Sequence, residues 1–429
     1  MKPRLSAVVG RLTVVNVLTA ATGLLTGPFL ARALGAQGRG DLAAILVPLG
    51  LVPLLGLALP YYANRETARG RALNEVIGSV GLVLMVLGLV GAAFAVPAAT
   101  ALAEGRETVR TWLIVVFLGL PVWLLQTMLM SCLQGLERWN RWIVARTIAF
   151  GVPFMAIMVL FAAGELTVAT VAAATLVGSL LVIVPAASLL VEQGRPVFRV
   201  AVAREGIAMG VKTWVGALAY TANVRLDQLV MITAVSAREL GLYAVGVSLA
   251  SASSALTSAV GPPLLTRTAA GETILPQTLR MTLLTTAAVS GVLAAVAPLI
   301  LRWVFGAEFA DATTMTLVLL VAAIPLAGGA VIASALQGDG VPGIPSVAEG
   351  IALVITVGGL VLTLGPLGAL GAAIVSLVAY TASFVFQLAF ARRRWPAPLR
   401  TYLLPSRSDL DWAWERSARL RRRARPVNS

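Results

Sequence analysis

Leu34-Gly35-Ala36-Gln37-Gly38-Arg39-Gly40-Asp41-Leu42-Ala43 has a counterpart 201 residues later, Val235-Ser236-Ala237-Arg238-Glu239-Leu240-Gly241-Leu242-Tyr243-Ala244. No gap is needed to align the two. The apolar run before each copy matches in its polar positions as well: Arg11, Val15, Thr19, Thr22 and Thr26 fall on Lys212, Gly216, Tyr220, Asn223 and Asp227. Steps of 4, 4, 3 and 4 put each set on one face of a helix. A second echo follows: Ser131-Cys132-Leu133-Gln134-Gly135 returns as Ser334-Ala335-Leu336-Gln337-Gly338, at an offset of 203. Two echoes at nearly one offset read as a duplicated chain with a polar seam between its halves.

Composition sets the solvent. Hydrophobic residues make up 58% and charged residues 12%, about half the charge of a soluble domain. Apolar runs long enough to cross a hydrocarbon core of roughly 30 Å recur along the chain. The period-two alternation of outer-membrane strands is missing. An all-α, multi-pass membrane protein is therefore expected. The chain has no histidine and one cysteine, Cys132, so neither an internal disulfide nor a thiolate or imidazole metal cluster is expected. No cofactor, no metal and no catalytic residue is expected. The net charge of +14 is not a nucleic-acid signature here, because the arginines sit mainly in short loops and the tail. The first apolar run exceeds the length of a signal-peptide core and reads as an uncleaved helix.

Twelve transmembrane helices are predicted, at about 8–33, 42–62, 76–100, 111–134, 143–163, 167–191, 211–235, 240–265, 279–303, 312–336, 346–364 and 368–391. They divide into a six-helix bundle over 1–191, a basic linker over 192–205, a second six-helix bundle over 206–392 and a basic tail over 393–429. With the N-terminus inside, the cytoplasmic segments hold twenty-six Lys and Arg and the outer ones six. That asymmetry places both termini in the cytoplasm and the chain in the cytoplasmic (inner) membrane. An even number of spans per half implies a pseudo-twofold axis along the membrane normal. From Arg392 onward the chain carries eleven arginines, with Trp412 and Trp414. The tail reads either as a helix lying on anionic lipid or as a disordered positive-inside anchor.

Ionisable side chains at bilayer depth cost about 2.5–3.5 kcal/mol on insertion scales, so they mark candidate sites. If the two equivalent helices face one another, Arg11 and Lys212 make the inner mouth of a central cavity cationic. Asn16, Thr19, Thr22, Tyr220 and Asn223 line it further out. Arg225 lies off the stripe, facing either the cavity or a structural partner. Asp227 is a candidate site for a coupling cation, H+ or Na+, and Glu349 is a second; with no histidine, proton coupling must use carboxylates. Arginine's planar fork suits phosphate. A cationic, hydroxyl-lined cleft open to lipid matches a lipid-linked sugar with its pyrophosphate. Each basic residue alone also reads as an ordinary positive-inside residue snorkelling to the surface. Prolines within the helices, Pro48, Pro53, Pro121 and Pro325 among them, predict bends.

The segment Leu30 to Leu42 resembles the opening turn of the polysaccharide-biosynthesis flippases of the multidrug, oligosaccharidyl-lipid and polysaccharide exporter superfamily. Arg225-Leu226-Asp227 with Glu239-Leu240-Gly241-Leu242-Tyr243 resembles that family's seventh helix and turn. Gln134-Gly135 and Gln337-Gly338 resemble its turns after helices four and ten. The resemblance spans most of 5–392 and implies two bundles in a V around an alternating lumen. It also implies transfer of undecaprenyl-pyrophosphate-linked oligosaccharide from the inner to the outer leaflet. Twelve spans, with mainly Arg11 in the first helix, set the chain nearer the capsule, O-antigen or exopolysaccharide branch than the lipid II (peptidoglycan precursor) branch.

Three other readings stay open at this point. A cation-coupled multidrug exporter of the same fold needs a carboxylate in the first-half lumen, where the predicted helix cores have none. A membrane glycosyltransferase needs acidic residues in sizeable outer loops, and the first offers only Asp41. A non-transporting scaffold needs no polar seam.

Overall fold

A computed structural model describes residues 5–404 except 193, 256–259, 270 and 273. The side chains of Asn16, Lys212, Tyr220 and Asn223 lie outside the described residues, as does the tail from 405, with Trp412 and Trp414. Every regular element among the described residues is helical.

The first half runs α1 Leu5–Leu55, α2 Leu59–Ala68, α3 Leu73–Ala93, α4 Ala95–Ala103, α5 Glu107–Leu118, α6 Leu120–Gly135, α7 Trp139–Ala163, α8 Val168–Leu181 and α9 Ile183–Glu192. The second runs α10 Val200–Ala234, α11 Ala237–Ala255, α12 Gly261–Ala269, α13 Leu275–Leu299, α14 Thr313–Gly338, α15 Gly343–Arg394 and α16 Leu399–Leu403. A π segment, Ile300–Phe305, and a 3-10 turn, Ala307–Ala312, join α13 to α14. Among the described residues, seven helical stretches are long and apolar enough to cross a membrane, or eight counting one bent pair.

Two of those stretches contain a turn. Gly35 in α1 (φ 67°) and Gly368 in α15 (φ 51°) leave the helical region into conformations that a side chain disfavours. In α15 the consequence is a hairpin. Gly359 packs against Val375 and Gly371 against Thr363, pairs centred on one point near the glycine. A straight helix of its 52 residues would extend about 78 Å, far beyond a bilayer.

Several predicted spans are also broken where single helices were expected. The span 42–62 is interrupted at 56–58, with Leu57 and Ala58 left-handed. Pro53 and Pro60 flank this break, removing backbone donors on both sides. The span 111–134 bends by 51° between α5 and α6, where Gly119 and Pro121 interrupt the ladder. Breaks at Phe94 and Val182 divide two further spans. The helix expected at 211–235 instead starts at Val200, within the predicted linker.

Both copies of the second sequence echo pack their glycine against a backbone. A Cβ on Gly135 would lie 2.0 Å from Thr67 Oγ1 and 2.4 Å from the Asn64 carbonyl oxygen. A Cβ on Gly338 would lie 2.4 Å from the Leu265 carbonyl oxygen. Residues 64 and 265 are themselves 201 apart, so each half docks the end of one helix on the same backbone position of another. Asn64 Nδ2 donates to Gln134 Oε1 at 3.1 Å in the first half.

At its start α10 grips the first half. Trp214 Nε1 donates to the Leu54 carbonyl at 2.6 Å, and Gly210 approaches the Leu57 carbonyl. Arg71 and the Tyr62 hydroxyl donate to Glu205 at 2.9 and 3.1 Å. These bonds, Arg71's first, hold the Glu205 carboxyl below its ordinary value. The sign follows directly. A lowered folded-state value gives stability that is present above the unfolded value of about 4.3 and fades as pH falls through the folded one. Glu205→Gln should therefore unfold earlier than wild type at neutral pH, with the gap closing in acid. Thermal scans in detergent across that range are the measurement, and a pH-independent gap contradicts it.

Candidate functional site

The two copies of the repeated turn lie against each other. A Cβ on Gly40 would sit 1.7 Å from the Ala237 carbonyl oxygen, and one on Gly241 would sit 1.8 Å from the Ala36 carbonyl oxygen. Residues 36 and 237 are equivalent, and so are 40 and 241. The contact is reciprocal: residue i of one copy meets residue j of the other, and j meets i, the pattern of an isologous interface.

Two arginines of the first half reinforce the same end of the molecule. Arg32 donates to the carbonyls of Trp303 at 2.6 Å and Val304 at 3.0 Å. Those carbonyls end the π segment, where in-helix donors run out. Arg106 spans Asp41 and the Ile232 carbonyl, both at 3.2 Å. The Ala36 N–H, freed by the kink at Gly35, donates to Glu308 at 3.0 Å. Each half thus reaches the other through both its turn and its third-to-fourth loop.

The predicted stripe divides. On α1, Val15 and Thr26 are buried, and Thr19 and Thr22 are half-buried. The threonine hydroxyls donate to their own helix: Thr19 to Val15, Thr22 to Thr19 and Thr26 to Thr22, at 2.8–2.9 Å. Their hydrogens are used, and their lone pairs are what they offer a ligand. Arg11 is exposed and donates to Asn140 Oδ1 at 3.2 Å, in the first turn of α7. The partners expected on the equivalent helix, Lys212, Tyr220 and Asn223, carry undescribed side chains, as does Asn16.

Arg225 is exposed, with its guanidinium 3.8 Å from where a Cβ on Gly50 would be. It therefore stands at the seam between α10 and the second arm of α1, between Pro48 and Pro53. Asp227, two residues on, points into the second half and is 3% exposed. It accepts from the Tyr243 hydroxyl, from the Gln228 N–H at 2.7 Å and from Ser376 Oγ at 3.5 Å. Glu349 lines a small cavity of about 40 Å³ with Tyr380, Ser383 and Val224, a space that holds about one water. Ser383 accepts from Gln387 Nε2 at 3.1 Å, and the buried Gln387 Oε1 has no partner.

Reading the sequence did not single out Ser376, Tyr380, Ser383 and Gln387. Their steps of 4, 3 and 4 were available as a signal, one face of a helix as on α1. Among the described residues no group of three or more acidic, cysteine or histidine side chains is placed to hold a metal.

No family model and no curated protein matches the chain by sequence. Solved structures do match in fold. An inward-facing multidrug resistance MATE family transporter of the MOP superfamily superposes with a TM-score of 0.70 at 16% identity, covering 89% of this chain and 98% of its own. The lipid II flippase MurJ in an inward closed conformation superposes with a TM-score of 0.74 at 13% identity, covering 91% and 88%. The chain has the fold of the MOP superfamily transporters. A further member, a MOP superfamily transporter from Pyrococcus furiosus, superposes with a TM-score of 0.61 at 16% identity, covering 90% and 95%. These neighbours are transporters and flippases, not enzymes.

Proposed function

We propose that this protein is an alternating-access flippase. In this reading it carries undecaprenyl-pyrophosphate-linked oligosaccharide from the cytoplasmic to the outer leaflet of the inner membrane for polysaccharide export. The observation that carries the reading is Arg225: an exposed guanidinium on α10, which this reading takes as a span, at its seam with the second arm of α1. A cation within a span is costly unless water, protein or an anion meets it. A lipid phosphate entering sideways supplies the anion while its tail stays in the bilayer. The acceptor lone pairs of Thr19 and Thr22 suit sugar hydroxyls.

The same reading takes the molecule as two six-span bundles about a pseudo-twofold axis, with both termini cytoplasmic. The reciprocal contact of Gly40 and Gly241 and the hairpin at Gly368 support it. With the turns on the outer side, the contact seals the cavity from outside. Multidrug–cation antiport is less well supported. Asp41, Glu66, Glu75 and Glu192 each pair with arginine at helix ends, leaving those first-half carboxylates engaged.

For the coupling ion we take the second half. Asp227 and Glu349 are its two candidate carboxylates, and Glu349 has the room for an ion or a proton-bearing water.

The test uses the purified protein in vesicles loaded with a polyprenyl-pyrophosphate sugar. Arg225→Ala should slow transbilayer movement by roughly ten-fold or more, the loss of one charge-assisted contact of about 1.5–3 kcal/mol. Arg11→Ala should slow it less, because Arg11 is already engaged by Asn140. Undiminished movement in both variants would remove the cationic-seam mechanism. Overproducing cells that tolerate cationic dyes better would favour drug export instead.

A further inference from the structure

The turn between α6 and α7 is built around a pocket that the transport reading leaves unused. The pocket holds about 360 Å³ and is lined by Glu137, Arg138, Trp139, Asn140, Arg141 and Glu192. Glu137 carries it on a left-handed backbone (φ 55°) that a glutamate disfavours. Arg138 and Arg141 both donate to Glu192, one to each carboxylate oxygen, and Arg141 also donates to Ser188 Oγ at 3.0 Å. Arg11 reaches the rim through Asn140. Trp139 and Trp142 meet edge to face at 6.4 Å, and Arg146 lies over the Trp142 ring at 5.7 Å.

Two features of this pocket point to one ligand. The first is charge. Arg11, Arg138 and Arg141 against Glu137 and Glu192 leave one surplus positive charge. Each guanidinium has five N–H donors, and the bonds to Glu192 and Ser188 occupy only some of them. The second is what lies beside it. Only 11% of the apolar window of α7 is buried inside the protein. Exposed Val144, Met155 and Val159 continue along one helix face from Asn140, at steps of 4, 11 and 4. Paired tryptophans at the end of an apolar span are the usual mark of the headgroup level.

We propose that this pocket binds the headgroup of a monoanionic phosphodiester lipid, with an acyl chain along the exposed face of α7. Glu192, the last residue of α9 at the start of the linker between the halves, competes with the phosphate for Arg138 and Arg141. A single negative charge matches the surplus. The site differs from the seam at Arg225 and stands whether or not the transported substrate is a glycolipid.

The test places the full chain in phosphatidylcholine nanodiscs. They contain a phosphatidylglycerol with a photoreactive group beside its headgroup, and the labelled peptides are mapped. Labelling should concentrate on the Glu137 to Arg146 segment. Arg138→Gln with Arg141→Gln should lower it roughly five-fold or more, the attraction of a basic side chain for an anionic lipid being about that large. Glu192→Gln should raise it, since the surplus charge doubles. That second variant keeps the test decisive if the double variant folds poorly. Labelling spread evenly over lipid-facing helices, or unmoved by Glu192→Gln, overturns the proposal. Full competition by inorganic phosphate overturns the lipid assignment and marks a free-phosphate site.

Discussion

Gly40→Val is expected to separate the two halves at the repeated turns and abolish transport while leaving each half folded. The added Cβ alone would lie 1.7 Å from the Ala237 carbonyl oxygen, and a backbone atom in a helix cannot give way by rotation. Overpacking at a rigid contact costs about 1–3 kcal/mol. Set against a two-state equilibrium, that shifts the closed-to-open ratio by roughly 5–150-fold. Reciprocity sharpens the expectation. Gly241→Val meets the Ala36 carbonyl at 1.8 Å and should have the same effect, although it lies 201 residues away. Spin labels on cysteines at 36 and 237, introduced with Cys132→Ser, provide the readout. Their separation should lengthen in both glycine variants. An unchanged separation would show that the turns are not in contact. A lengthening in only one variant would contradict a symmetric seal.

At Asp227 the pair Asp227→Leu and Asp227→Asn is expected to separate structure from coupling. The leucine variant leaves the buried Tyr243 hydroxyl without its acceptor. A buried donor left unmade costs about 1–3 kcal/mol, and more where its partner was charged. A clear loss of thermal stability is the expected result. The asparagine variant keeps an oxygen for Tyr243 and Ser376, removes the charge and turns its amide donor toward the Gln228 N–H. Its stability should fall less than that of the leucine variant. If Asp227 carries the coupling ion, transport by that variant loses its dependence on a cation gradient. Should Glu349→Gln lose that dependence and Asp227→Asn keep it, the coupling group is the one beside the small cavity. Dependence retained in both variants rejects carboxylate coupling at these two positions.

The extent to which the site could be read in advance differs residue by residue. Asp227 stood out because a carboxylate in an apolar run is rare and expensive. Its partners Tyr243 and Ser376 did not, since hydroxyls pass unnoticed among apolar residues and Ser376 is 149 residues away. Arg11 was legible as a cation at a helix end. Its bond to Asn140 was not, because that choice of partner depends on how α1 leans on α7. The broken helix at Gly56 to Ala58 was hinted at by Pro53. Which residues go left-handed there is settled by the packing of Gly56 against Leu84 and Leu124.

Composition and periodicity were enough to determine the solvent and the helical class. Each depends on local hydropathy or on residue identity, and these need no neighbours. Tertiary structure decided the rest. It turned the repeated glycines into contacts between the two copies, set Arg225 over Gly50 and closed Asp227 in by three donors. Those outcomes depend on the relative placement of helices distant in the chain. No pattern along one strand of sequence encodes the distance between two of them.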